Sequence, residues 1–208
     1  MIIFSFKYYV KSKYIDIIYP YENFQTGGVI MKALIFNGSP RFGNSTAATA
    51  ELKKGLSNIE GLEIEDLRAD DLSISPCIAC EVCGSEGECT FDDDTNETMQ
   101  KVCDADILLF VTPVYWWGIT AQLKVVIDKF YSRGSLLKNM NKKVGLITIG
   151  EAELSDPQYD IIEKQFRCIS DYLGWDFRFS KSYSAYEPTD LANNTSAMAE
   201  IGSLWKEL

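Results

Sequence analysis

No histidine occurs anywhere in the 208 residues. Catalytic triads with an imidazole base, His-ligated zinc enzymes and histidine proton shuttles are excluded together by that absence. Hydride and electron transfer need no imidazole when a bound cofactor holds the reactive atoms, so cofactor chemistry becomes the first expectation. Positive charge is also short: 20 Lys+Arg stand against 30 Asp+Glu, a formal net charge of −10. Attraction of the surface as a whole to nucleic acid or to an anionic membrane is therefore disfavoured. Long apolar runs are missing, since the longest, such as Ile107 to Val111, fall far short of a bilayer-spanning helix. No G-x-G-x-x-G occurs, and no cysteine is followed six residues later by arginine, which sets aside a cysteine-dependent phosphatase.

What is present is ordinary globular composition, with 46% apolar and 24% charged residues, enough for one large domain with a buried core. The first thirty residues differ from the rest. They carry Phe4, Phe6, Tyr8, Tyr9, Tyr14, Tyr19, Tyr21 and Phe24, and Lys7, Lys11 and Lys13 interrupt any apolar core that an export signal needs. Residues 1–30 read either as a strand-like arm or as a mis-assigned start. In the second case translation begins at Met31, behind a purine-rich stretch encoding Gly27-Gly28-Val29.

From Met31 onward strands alternate with helices, so 31–208 reads as a single α/β domain. Ala33–Phe36, Ile107–Val111 and Val144–Ile149 are short continuous apolar runs, as in strands buried on both faces of a parallel sheet. Ile119, Leu123, Val126, Ile127 and Phe130, and again Ile162, Phe166, Ile169 and Leu173, recur with helical spacing. Weaker signals predict helices near 46–56, 95–105 and 189–208 and strands near 62–67 and 175–179. Five βα units in a doubly wound, three-layer sheet with right-handed crossovers follow.

Ligands of such sheets sit beyond the carboxyl ends of the strands. The first loop there, Asn37-Gly38-Ser39-Pro40-Arg41-Phe42-Gly43-Asn44-Ser45-Thr46, opens a helix and offers amides, hydroxyls and an arginine to an anion. It nearly spells the nucleoside-triphosphate loop, but Asn44 stands where the lysine belongs, so a monophosphate suits it better. The second loop, Thr112-Pro113-Val114-Tyr115-Trp116-Trp117-Gly118, holds three consecutive aromatics, which mean either a flat partner or buried packing. A planar heterocycle with one phosphate, such as flavin mononucleotide, fits both loops. The third loop, 150–153, carries the weaker signal.

Gly38-Ser39-Pro40-Arg41 with Gly43-Asn44-Ser45, then Pro113-Val114-Tyr115-Trp116 with Gly118, Ala121-Gln122-Leu123-Lys124 and Asp128-Lys129-Phe130, resemble the NADPH-dependent FMN reductase family. The resemblance runs from Met31 to about Gly150. It implies a flavodoxin-like fold with strand order 2-1-3-4-5, FMN as cofactor and NAD(P)H as donor. It implies that Ser39, Arg41, Asn44, Ser45 and Thr46 hold the FMN phosphate and that Pro113, Val114, Tyr115, Trp116 and Gly118 lie against the ring. It also implies a homodimer or homotetramer, with the aromatic loop and the cysteine segment near a neighbouring subunit's flavin.

Cys77, Cys80, Cys83 and Cys89 form C-x2-C-x2-C-x5-C, followed by Asp92-Asp93-Asp94, and resemble the compact cluster motif of iron–sulfur flavoproteins. Four thiolates can hold a [4Fe–4S] cluster. Zinc is the lesser metal reading, because structural zinc sites separate two cysteine pairs by a longer spacer. Cysteines of this kind also occur in flavin reductases without a cluster. Cys103 and Cys168 read as core residues and Asp94 as a helix cap. Two functions follow: an FMN-dependent reductase passing electrons from NAD(P)H to a quinone, flavin, nitroaromatic or similar acceptor, or an iron–sulfur flavoprotein carrier exchanging electrons with a partner such as ferredoxin. Either belongs in the cytoplasm, where disulfides are disfavoured.

Overall fold

A computed structural model describes residues 30–138 and 140–208; the reading of residues 1–30 as arm or mis-assigned start lies outside them but for Ile30. Five strands, β1 Met31–Asn37, β2 Leu62–Arg68, β3 Ile107–Pro113, β4 Lys143–Gly150 and β5 Asp176–Ser184, form one parallel sheet in the order β2-β1-β3-β4-β5. The continuous apolar runs are its centre. Every residue from Ile107 to Val111 is at most 1% exposed, because helices cover both faces.

The chain supplies α1 Asn44–Leu56, α2 Cys83–Glu86, α3 Thr95–Asp104, α4 Ala121–Asp128, α5 Gly134–Leu137, α6 Pro157–Leu173, α7 Asp190–Asn193 and α8 Thr195–Ser203. Alternate residues of the strands serve opposite layers. Leu34, Phe36, Leu108 and Phe110 pack with Met99, Val102, Leu123, Val126, Ile162 and Phe166 of α3, α4 and α6. Ala33, Ile35, Leu109 and Val111 pack with Ala48, Leu52, Leu56, Leu191 and Ile201 of α1, α7 and α8. The result is the predicted α/β/α sandwich, and its strand order is that of flavodoxin-like proteins.

Three local readings are corrected. The predicted C-terminal helix over 189–208 is broken: Asn194 is extended, with φ −86° and ψ 90°, and its side chain accepts from the Ala197 amide, so one helix ends and α8 begins there. A 3-10 turn, Leu204–Glu207, then finishes the chain. Asp94 occupies the cap position of α3 without capping it. Its carboxylate accepts instead from the Ser73 amide at 2.7 Å, while Asp93 accepts from the amides of Thr95 and Ser75. The acidic run thus clasps the incoming segment. Cys168 is exposed rather than core, lying on the outer face of α6. Among the described residues no helix is long and apolar enough to cross a membrane.

Candidate functional site

Strand order reverses between β1 and β3, so the loops that follow them sit side by side at the carboxyl edge. The first is braced by the second: the Gly38 amide donates to the Val111 carbonyl at 2.8 Å, and the Thr120 hydroxyl donates to the Gly38 carbonyl at 2.6 Å. A Cβ on Gly38 would stand 3.0 Å from the Leu123 side chain and 3.2 Å from the Thr112 hydroxyl, so the approach tolerates little but glycine. Further on, the Ser39 hydroxyl donates to the Arg41 carbonyl at 2.7 Å and accepts from the Arg41 amide at 3.3 Å. Arg68 stacks over the Phe42 ring at 4.6 Å and holds the outside of the turn.

At the end of this loop α1 starts with Gly43 at its cap position and no side chain satisfying its first amides. A helix start of this kind presents free N–H donors and the positive end of the dipole to an anion. The Asn44 side chain is committed elsewhere. Its Nδ2 donates to the Glu187 carbonyl at 2.8 Å and its Oδ1 accepts from the Leu191 amide at 3.0 Å. Ser45 is buried at the same turn, and the Thr46 hydroxyl is buried behind it with no partner among the described residues.

The second loop is a tight turn. Tyr115 and Gly118 exchange two backbone hydrogen bonds of 2.9 and 3.0 Å, and the residues between them, Trp116 and Trp117, have φ of 48° and 58°. Two successive left-handed residues suit Asn-Gly and cost a tryptophan about 1–2 kcal/mol each. Nor is the strain repaid by burial, because Trp116 is 92% exposed and Trp117 48%. Buried packing is therefore not the role of the Trp116 ring.

A cleft of about 570 Å³ lies between the loops, within the range of cofactor sites. Of the ten cofactor positions read from the sequence, Ser39, Arg41, Asn44, Ser45, Pro113, Val114, Tyr115 and Trp116 line it. Thr46 and Gly118 do not, the one sitting behind the helix start and the other closing the turn. The third loop contributes Gly150, Glu151 and Ala152. Sequence reasoning missed Gln158, which also lines the cleft, is 8% exposed and has an amide nitrogen with no partner among the described residues. The Tyr159 hydroxyl stands in the same corner, but it donates to the Ala152 carbonyl at 2.7 Å and forms no well-aligned hydrogen bond to that amide. The Asp156-Pro157 pair that starts α6, with Asp156 accepting from the Gln158 amide, was the signal that could have placed it at the ligand edge.

Cys77, Cys80, Cys83 and Cys89 line a second, small pocket with Phe91 and Lys129, which shares no lining residue with the cleft. Ala79 and Glu81, with φ of 53° and 60°, bend the chain on either side of Cys80. Asn96 fixes Cys89 from both sides, accepting from its amide at 2.9 Å and donating to its carbonyl at 2.8 Å. Burial first, then the adjoining thiols of Cys80, Cys89 and Cys77, push the Cys83 thiol above its ordinary range. All four are free thiols. Among the described residues no group of three or more His, Cys, Asp or Glu side chains is placed to hold a metal ion. The four thiols share one small pocket, and by donor type four cysteines are the set that a [4Fe–4S] cluster takes.

Comparison with known proteins agrees with the geometry. The chain is 35% identical over 121 residues to an iron-sulfur flavoprotein of Methanocaldococcus jannaschii, a match covering 58% of this chain and 62% of that one. A second iron-sulfur flavoprotein, from Archaeoglobus fulgidus, is 35% identical over 105 residues. The chain thus spans 62% and 47% of the length of these two relatives. It is 24% identical over 183 residues to a Bacillus subtilis protein named as an NAD(P)H-dependent FMN-containing oxidoreductase, covering 85% of this chain and 97% of that one. An FMN-dependent NADH-azoreductase from Bacillus anthracis, solved in complex with FMN, shares the fold with a TM-score of 0.63 at 17% identity, over 84% of this chain and 98% of that one. The family sequence that matches here is the NADPH-dependent FMN reductase, over residues 31–161. That stretch carries all three loops of the cleft and the four-cysteine segment between them, and the chain belongs to the NADPH-dependent FMN reductase family.

Proposed function

We propose that the chain is an FMN-dependent NAD(P)H oxidoreductase that passes electrons to a quinone, flavin, nitroaromatic or similar small acceptor. The observation that carries this reading is the uncapped start of α1 facing a cleft walled on its far side by a strained, exposed aromatic turn. One terminal phosphate fits the first, and a flat ring fits the second. The free amides of the first turn of α1, the Ser45 hydroxyl and the Arg41 guanidinium hold the phosphate. Pro113 to Trp116 flank the ring, and the third loop with Gln158 faces its other edge. FMN supplies hydride acceptance and one- or two-electron release. The chain needs only to align donor, ring and acceptor and to exclude water, so the lack of histidine is no handicap. The assembly is a homodimer or homotetramer. The cytoplasm, which keeps six thiols reduced, is its setting.

Flavin released from the purified protein tests the reading. FMN in a 1:1 ratio is expected, because the first loop has no pyrophosphate fingerprint; FAD, or no flavin after reconstitution, refutes it. Ser45→Ala should remove one hydrogen bond to a charged group, about 1.5–3 kcal/mol or roughly ten- to a hundredfold in Kd. Arg41→Ala should weaken binding without unfolding the chain. Unchanged affinity in both variants moves the phosphate elsewhere.

A second reading rests on the four-cysteine pocket. With a [4Fe–4S] cluster there, the protein is an electron carrier between the flavin and a partner such as ferredoxin, and NAD(P)H is a poor donor. Rapid bleaching of the flavin by NADH or NADPH supports the first reading, and reduction only by reduced ferredoxin supports the second.

A further inference from the structure

After α4 the chain continues in a 3-10 turn, Lys129–Arg133, that runs beneath the cysteine segment. Two of its side chains are basic and buried: Lys129 is 2% exposed and Arg133 8%. Arg133 is accounted for by the loop itself, pairing with the Glu88 carboxylate at 2.9 Å and donating to the Gly87 carbonyl. Lys129 is different. Among the described residues no carboxylate stands within ion-pair distance of its Nζ. Its neighbours are the Cys89 sulfur at 3.5 Å and the face of the Phe91 ring, 4.3 Å away.

A buried ammonium without a counter-charge is costly, and an aromatic face offsets only part of that cost. A neutral thiol is a poor acceptor. A thiolate bound to iron carries the missing charge, and lysine supplies three donors to it. We infer that Lys129 is the counter-charge of the four-cysteine site, a positioning residue that holds Cys89 as a ligand and sets the potential at which the site accepts an electron. This rests on the cluster reading of the pocket. Each electron entering the site adds a negative charge, which a fixed ammonium beside one ligating sulfur favours. Removing it leaves the oxidised state relatively preferred.

The experiment uses the full chain, purified anaerobically as wild type, Lys129→Met and Lys129→Arg. Iron per chain is measured, and the reduced signal is followed by electron paramagnetic resonance during a mediated dithionite titration. Wild type is expected to hold about four irons. Lys129→Met should bind the electron at least tenfold more weakly, about 59 mV lower per tenfold for a one-electron couple, with Lys129→Arg restoring most of the difference. Loss of iron in Lys129→Met with retention in Lys129→Arg also supports the inference, since charge and not shape is then required. An unchanged midpoint in an iron-loaded Lys129→Met, or loss of iron in both variants, overturns it. A wild type without iron, before or after reconstitution with iron and sulfide, refutes the cluster reading itself and the inference with it.

Discussion

The double variant Trp116→Asn with Trp117→Gly is expected to unfold at a higher urea concentration than the parent while turning over more slowly. Both positions have φ in the left-handed region, where Asn-Gly is the favoured pair of a two-residue turn. Relief of two strained residues at about 1–2 kcal/mol each outweighs what the rings return, because Trp116 is 92% and Trp117 48% open to solvent. The bond pair between Tyr115 and Gly118 survives, so the loop keeps its shape. A gain of about 1–3 kcal/mol follows. The site meanwhile loses two of its aromatic walls, and KM for a quinone acceptor should rise by an order of magnitude or more, a loss of at least about 1.4 kcal/mol. Denaturation midpoints and steady-state kinetics on one preparation decide the matter. Equal or lower stability would mean that the turn is not strained.

Gly55→Ala and Gly202→Ala should move stability in opposite directions, although the two glycines meet at one crossing of α1 and α8. An added Cβ on Gly55 collides with the Gly202 carbonyl oxygen and stands 3.0 Å from its carbon. That obstacle is backbone and cannot swing aside, so overpacking of about 1–3 kcal/mol or more exceeds the roughly 1 kcal/mol that alanine adds in a helix. An added Cβ on Gly202 meets the Glu51 carboxylate at 2.7 Å. Glu51 is a partly buried side chain, 23% exposed and paired with Lys54 at 3.3 Å, and its carboxylate end can turn away. Gly202→Ala should therefore be neutral or stabilising by up to about 1 kcal/mol. Urea melts of both variants check the pair; a shift of the same sign in both would show that the helices are free to separate.

The strands β1, β3 and β4 were legible because burial on both faces leaves no polar residue in the run. The edge strand β2 alternates instead and was read less firmly, since only one of its sides has a neighbour. Anion chemistry at the start of α1 was legible from residue types. The division of labour among those residues was not, because the side chain of Asn44 is used by Glu187 and Leu191, far along the chain. The exposure of the tryptophans escaped for a similar reason. A Tyr-Trp-Trp run looks alike in a core and on a rim, and only two positive φ angles separate the cases. Lys129 was quoted as part of a motif, yet nothing in the sequence says that its ammonium ends beside a sulfur donated by a residue 40 positions earlier.

The bonds of Asn44 have a consequence for the timing of cofactor capture. The Asn44 side chain at the first turn of α1 is held by partners 143 and 147 positions downstream, so during synthesis these two bonds cannot form until Leu191 has left the ribosome. Chain growth is slow beside local folding. Nascent chains arrested before that point should not retain FMN, however complete their first four strands, and flavin loading becomes the last event of maturation.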